Sequence, residues 1–255
     1  YNIYNMSIIQ KILKSRDVLS EILDDIDFNT ESIKKLSEKE INILFNLSSD
    51  DSDINSLGNG AAGLNFSLPH KYISNFHLNI VYLNMPDKNS SGSKNTKSFA
   101  EKISKLYENE KFDPFSSTII IINEPVSDTL EKVMNELNIS LQTYDEEIPK
   151  EIIDEMKSKN YHFKKNHFRR CTMFNINTLL VNLKEHRLVS EHIPIRNEDD
   201  IQKILDTCNC TRSQLPIISK NDIMCKYTLA VPGDIMQINR TSKMTGNYPF
   251  YRLVR

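Results

Sequence analysis

Several groups of residues in this chain carry the side chains of catalysis or ligand binding, and each implies a definite chemistry. Gly58-Asn59-Gly60-Ala61-Ala62-Gly63 fits GxGxxG, in which glycines let the backbone approach a pyrophosphate at the start of a helix. That chemistry needs a strand before the run and a helix after it. Here an acidic Ser/Asp loop precedes it, and Pro69 in the following stretch 64–69 opposes a helix, so the run reads as a loop. Cys208-Asn209-Cys210, with Cys225 and His192 as later donors, has the elements of a metal site. Structural zinc takes four ligands in a recognisable spacing, and a single close pair near a helix end reads instead as two small, partly buried thiols. His186 and His192 have no partner pattern for ligation or acid–base work, and structural or interface roles fit them better.

A two-metal nuclease needs carboxylates converging on Mg²⁺ with a lysine near the attacking water, and a common arrangement is an Asp before one strand and Glu-x-Lys in the next. The apolar run 118–122 continues Asn123-Glu124-Pro125-Val126, with no lysine two residues after Glu124. Glu155-Met156-Lys157 has the spacing but lies in a charged, helix-like stretch. The motif is therefore not assembled, and the sequence contains no Gly-x-Ser-x-Gly elbow, Walker loop or His-Glu-x-x-His. Lys164-Lys165-Asn166-His167-Phe168-Arg169-Arg170 could meet a phosphate backbone through Lys164, Lys165, Arg169 and Arg170 without reading bases. A solvated basic loop is the simpler reading.

The elements that must position these groups follow from periodicity. Ile8, Ile12, Leu19, Ile22 and Leu23 recur at helical steps over 7–24. A second helix is expected over 31–46 with Thr30 as N-cap, followed by a polar loop over 47–63. Strand and helix then alternate: a strand at 78–84, a polar insertion at 86–97, and a helix over 96–110. A buried strand at 118–122 comes next, then a helix from Ser127 through 137, and a strand at 139–144. That order implies an α/β layer with mostly parallel strands. Residues 146–170 are charged and partly helical, and 171–183 turn apolar again. A second unit begins near 187. In it Asn197 caps a helix carrying Ile201, Ile204 and Leu205, and a short helix follows Asn221 or Asp222. Pro232-Gly233 makes a turn, and strands at 235–240 and 247–254 pair antiparallel. The fold class expected is mixed: an N-terminal α/β domain with a mostly parallel central sheet and a small C-terminal α+β domain.

Composition narrows the function classes. The 255 residues are 39% hydrophobic and 26% charged, with a net charge of -2, so any nucleic-acid contact must be local. No run of about 18 apolar residues implies a membrane span, and residues 1–6 lack the pattern of a secretory signal. Cysteines at 171, 208, 210 and 225 are too few and scattered for a secreted disulfide framework, which suits reduced thiols inside a cell. Heavy use of Asn, Ile and Lys, with six glycines and no Trp, is the bias of an AT-rich genome.

The C-terminal third carries five motifs in order. Leu188-Val189-Ser190-Glu191-His192 resembles L-V-P-E-H, and Ser213-Gln214-Leu215-Pro216-Ile217 resembles Q-L-P-R-I. Asp222-Ile223-Met224-Cys225-Lys226-Tyr227 resembles D-P-V-A-R-Y. The stretch from Pro232-Gly233 to Ile238-Asn239-Arg240-Thr241-Ser242 resembles R-G-x-x-x-x-I-x-R-x-S. Gly246-Asn247-Tyr248-Pro249-Phe250-Tyr251-Arg252-Leu253-Val254 resembles G-x-Y-x-x-Y-R-L-V. These are the motifs of the assembly domain in the subunit 5 family of multisubunit DNA-dependent RNA polymerases, a family with archaeal as well as eukaryotic members.

The resemblance implies a non-catalytic subunit. A jaw domain over 1–185 would lie near downstream DNA. An assembly domain over 187–255 would dock on the largest polymerase subunit, with a subunit-6-like partner nearby. Nucleotide addition and its Mg²⁺ would belong to the large subunits, so the resemblance implies no catalytic residue, metal or cofactor here. His192, Leu215, Pro216, Tyr227, Gly233, Arg240, Gly246, Tyr248, Tyr251 and Arg252 are the expected interface, with the apolar members mainly core and the arginines mainly contact. Where the family carries Pro, Arg and Gly in the longer stretch D-P-V-A-R-Y-x-G, this chain has Ile223, Lys226 and Leu229, and Met244-Thr245 replaces the Thr-Ala before the final glycine. Such divergence and the AT-rich bias suit a copy encoded by a large DNA virus, acting in the host cytoplasm and packaged in the virion; a cellular copy would act in the nucleus. A Mg²⁺-dependent nuclease and a free transcription regulator are the rival readings.

Overall fold

The computed structural model describes residues 6–31, 33, 36–46, 62–83, 85, 100, 104, 107–108, 112–113, 115–143, 147–242 and 246–255. The chain divides into two compact units, Tyr1–Glu155 with Phe168–Val181, and Met156–His167 with Asn182–Arg255. Most of the GxGxxG run, the 47–63 loop, the 86–97 insertion and the helix expected over 96–110 lie outside the described residues.

In the first unit, α1 (Ile8–Asp24) starts at a capping box between Ser7 and Gln10. Its buried residues Ile12, Ser15, Leu19, Ile22 and Leu23 recur every three or four positions along one face. Four strands form a sheet in the order β1 (Phe66–Pro69), β2 (His77–Tyr82), β3 (Ser117–Ile122), β4 (Cys171–Asn175). β2–β3 and β3–β4 are parallel, and β1 is an antiparallel edge. Every residue of β3 is buried, as a strand covered on both faces must be. On one face Val81, Ile120, Ile122 and Met173 pack with Leu130, Met134, Leu137 and Leu141 of α3 (Asp128–Gln142). On the other face the Tyr82 hydroxyl meets Ser15 Oγ of α1 at 3.0 Å.

Two expected elements are corrected. The second helix, α2, spans Glu38–Phe45 and is capped by Ser37, whose hydroxyl accepts from the Glu40 N–H while Glu40 reaches back to the Ser37 N–H. Thr30 is not its cap: its hydroxyl donates to Asp24 Oδ1, and its carbonyl accepts from Ile33 N. Residues 139–142 are the last turn of α3 rather than a strand. Leu130, Met134, Leu137 and Leu141 continue the helical stripe, and Ile139 lies on the solvent side, 67% exposed. The third parallel strand is β4, which Asn138 pins by donating to the Cys171 carbonyl and accepting from the Cys171 N–H.

The second unit holds a sheet in the order β5 (Glu191–Ile195), β7 (Ile235–Ser242), β8 (Gly246–Val254), β6 (Ile217–Ile218). All neighbours are antiparallel except β8–β6. α4 (Lys150–Ser158) spans the sequence boundary between the units. α5 (Glu198–Cys208) is capped by Asn197, and α6 (Ile223–Tyr227) by Asp222. Alternation along the strands builds a core on each face of the sheet. Ile201 and Leu205 of α5 pack with Leu215, Ile235 and Leu253 on one face. Cys225 of α6 packs with Ile218, Met236, Ile238 and Val254 on the other.

Candidate assembly interface

The β7–β8 hairpin is long enough to outrun its own core. Register pairs Ile235 with Leu253 at the base and Ser242 with Gly246 at the tip. The basal residues Leu253 and Val254 are buried, whereas residues 246–249 are exposed. Arg240 sits opposite Tyr248, and its guanidinium lies 4.7 Å from the Phe250 ring centre. Arg252 approaches the same ring at 5.2 Å and donates from Nη1 to the Ile217 carbonyl at 2.9 Å. Phe250 thus holds two arginines on one side of the hairpin, which orders their forked donors before any partner arrives.

Where the other side of the tip meets the segment leading into β5, a concavity of about 640 Å³ opens. Leu188, Val189, Glu191, Asn239, Tyr248 and Pro249 are among its walls. Leu188 is 78% exposed and Tyr248 40%. Asn239 donates to Glu191 Oε2 at 2.7 Å and ties the hairpin to β5. Large apolar groups in water beside positioned polar ones are the composition of a contact surface.

The ten expected interface residues divide. Tyr248, Arg240, Gly246 and Pro216 are exposed. His192, Gly233, Tyr251 and Arg252 are half-buried, and His192 Nδ1 lies 2.7 Å from the Ser190 carbonyl. Leu215 and Tyr227 are buried in the unit's own core, and burial pushes the Tyr227 hydroxyl up to about 12. Gly233 and Gly246 have φ of 101° and 69°. Open space surrounds the site of a Cβ at both, so backbone conformation, rather than crowding, is what favours glycine there. Leu188 is absent from the expected set, although its motif is one of the five. Its signal is an apolar residue before a strand, outside the alternating pattern that marks core.

A buried polar node lies at the base of the hairpin, where Asp234 precedes β7. The Asp234 carboxylate oxygen Oδ2 accepts from His167 Nε2 at 3.2 Å, Arg196 Nε at 3.2 Å and the Val231 N–H at 3.1 Å. Burial works to raise this carboxyl, but the His167 hydrogen bond and the Arg196 charge outweigh it and hold Asp234 below the usual range. Burial lowers His167, and Nδ1 accepts from the Lys164 N–H at 2.9 Å. The ring is therefore neutral with its proton on Nε2, and Asp234 balances Arg196 in charge. Arg196 Nη2 also donates to the Thr228 and Leu229 carbonyls, and its guanidinium lies 5.0 Å from the Phe163 ring centre. Leu229, where the resembled motif has glycine, stands at φ 48°.

The remaining sequence candidates have other work. Lys164 pairs with Glu198, which also takes Arg212 Nη2 at 2.6 Å. Arg169 lies 5.2 Å from the Tyr107 ring centre. Lys165 is in a single helical turn, and Arg170 leads into β4. Glu155 spends both oxygens on Ser74, from the N–H at 2.7 Å and the hydroxyl at 2.6 Å. The Glu124 carbonyl accepts from Asn175. Among the described residues no group of three or more His, Cys, Asp or Glu side chains is placed to hold a metal ion, and no helix is long and apolar enough to cross a membrane.

Comparison with known proteins places the similarity on the second unit. The family model for the C-terminal domain of RNA polymerase Rpb5 matches residues 181–254. The DNA-directed RNA polymerase subunit Rpo5 of Methanosphaera stadtmanae is 41% identical over 71 residues, which are 28% of this chain and 91% of that protein. Rpo5 of Pyrococcus abyssi is 40% identical over 73 residues, 29% of this chain and 88% of its own length. The subunit rpabc1 of DNA-directed RNA polymerases I, II and III from Dictyostelium discoideum is 38% identical over 80 residues, 31% of this chain and 40% of its own length.

Proposed function

The chain belongs to the RNA polymerase subunit 5 family, and from that premise we propose that it is a non-catalytic subunit of a multisubunit DNA-dependent RNA polymerase that docks on the largest subunit. The observations that carry this reading are the match of residues 181–254 to the family model and the 71 aligned residues that cover 91% of the archaeal subunit. An archaeal relative of that length consists of little besides this unit, so the shared role belongs to it.

The contact is the exposed half of the β7–β8 hairpin with the concavity beside it. Tyr248 and Leu188 supply apolar anchors, and the arginines held by Phe250 supply charge-assisted donors. The buried members of the expected set, Leu215 and Tyr227, act by keeping the sheet in shape. A subunit-6-like partner lies nearby. The N-terminal unit is the jaw that borders downstream DNA, with its Arg169 and Arg170, and Lys164 and Lys165 of the second unit, near the phosphate backbone. A divergent viral copy, working in the viral factory and carried in the virion, accounts for the AT-rich composition and the altered third motif.

Affinity purification of the tagged full-length chain tests the proposal, beside a Leu188→Asp/Tyr248→Ala variant. Recovery of the two largest polymerase subunits by the unaltered chain, and several-fold less by the variant, is the expected result. Failure of both chains to recover them overturns the reading.

A further inference from the structure

The charged side chains of the β7–β8 hairpin are all of one sign. Residues 235–255 hold no Asp or Glu, and they carry Arg240, Lys243, Arg252 and Arg255. Alternation along the strands puts Arg240, Phe250 and Arg252 on one face. With their guanidiniums 4.7 and 5.2 Å from the same ring centre, Arg240 and Arg252 stand within about a Debye length at 0.1 M salt and repel each other. Phe250 packs against the core of Cys225, Met236 and Ile238, so the ring that gathers the two charges is itself anchored. None of the ion pairs among the described residues includes either arginine. Glu191 of the adjacent β5 stands on the opposite face by the same alternation and accepts from Asn239 at 2.7 Å.

An anionic partner is the complement of such a face, and the geometry narrows its chemistry. Arg252 spends Nη1 on the Ile217 carbonyl at 2.9 Å. That leaves its Nε–Nη2 edge, whose two parallel N–H bonds match the oxygens of a carboxylate. Arg240 is exposed and lies across the ring from that edge. Nucleic acid fits this arrangement less well. Single strands are held by stacking bases on aromatic faces, and here the ring is taken up by two guanidiniums. The carboxylates of a protein segment need no free ring.

We propose, resting on the docking reading above, that this face receives two carboxylates, Asp or Glu side chains from one segment of the largest polymerase subunit, one on Arg240 and one on Arg252. The acid pair relieves the repulsion between the two arginines, and Phe250 sets their spacing. Reversing the charge at one of these positions sets like charges face to face, which weakens binding more than neutralising it.

The test uses the tagged full-length chain and variants at Arg240, whose exposure lets them keep the fold. Arg240→Glu should cut recovery of the largest subunit by about 10-fold or more, and Arg240→Gln by a smaller factor. Arg240→Lys keeps the charge and supplies an amine. Carbodiimide treatment of its complex should therefore join position 240 by an amide bond to an Asp or Glu of the largest subunit, identified by mass spectrometry of the crosslinked peptide. Equal recovery by the unaltered chain and Arg240→Glu, or an Arg240→Lys complex in which position 240 couples to no carboxylate, overturns the acid pair and leaves docking intact. Recovery of no polymerase subunit by the unaltered chain overturns docking and the acid pair together. Duplex DNA binding that Arg240→Glu abolishes, with subunit recovery unchanged, assigns the face to phosphate and overturns the acid pair alone.

Discussion

His167 donates Nε2–H to Asp234 at 3.2 Å across 67 residues of sequence, and both side chains are almost fully buried. This contact fastens residues 156–167, which lie upstream of the region that the family model matches, to the rest of the second unit. Breaking it from either side leaves buried charge or polarity unmet. Asp234→Asn removes the anion that balances Arg196 and should lower stability by about 3–5 kcal/mol. His167→Ala should cost less, about 1–3 kcal/mol, because the ring is neutral. Urea unfolding of the two variants measures the difference, and Asp234→Asn proving the milder change would refute the charge balance drawn here.

Acid should destabilise the chain before its exposed carboxylates titrate. Burial pushes His70 down to about 4, and it lowers His167 as well. A histidine whose folded value lies below its ordinary 6.5 gives stability that is complete above pH 6.5 and lost as pH falls toward the folded value. For His70 alone that loss is about 3 kcal/mol between pH 6.5 and 4. Asp234, also held low, extends the loss to lower pH. Denaturant midpoints taken at half-unit intervals from pH 7.5 to 4.5 should fall steadily below 6.5, and a flat profile would show that neither histidine is held neutral.

Surface and core members of the expected interface should separate cleanly. Leu215→Ala opens a cavity in the second unit and should cost about 2–5 kcal/mol. Tyr248→Ala, at the exposed tip, should change stability by about 0.5 kcal/mol or less while reducing recovery of polymerase subunits. Paired thermal melts and pull-downs distinguish the two, and the reading fails if Tyr248→Ala melts like Leu215→Ala.

Thiol chemistry should follow burial. Cys171 and Cys225 are buried and Cys208 is exposed, and burial pushes the Cys171 thiol up to about 12. Iodoacetamide on the native chain should label Cys208 first, then Cys210, and spare the other two until unfolding. Mass spectrometry of a time course reads the order directly.

Periodicity revealed most of the architecture where one face is buried and the other wet. α1, the helix behind Ser127 and the antiparallel hairpin near the C-terminus could be read in this way, because their apolar residues face a single core. Ile139-Ser140-Leu141 misled because β-branched Ile139 favours a strand locally, while Leu137 and Leu141 were continuing a helical stripe. Thr30 misled because Ser37, seven residues later, has the Glu three positions on that completes a capping box. The edge strand β1 was hidden by Pro69, which is tolerated there because an edge strand needs no second set of ladder bonds. The Asp234 node and the hydrogen bond from Arg16 Nη1 to the Leu64 carbonyl were illegible for a different reason. Each joins residues from distant stretches, and a single sequence does not announce a contact between positions 16 and 64 or 167 and 234.

Leu229 keeps a left-handed backbone, φ 48°, at a position where the resembled motif has glycine. Such a conformation costs a residue with a side chain about 1 kcal/mol or more. The turn survives because Arg196 Nη2 grips the Thr228 and Leu229 carbonyls and Ala230 N–H reaches the Cys225 carbonyl at 2.8 Å. The two positions should therefore be energetically coupled. A lesion at Arg196 should be worse in this lineage than in one that still carries glycine, and Leu229→Gly should partly rescue it.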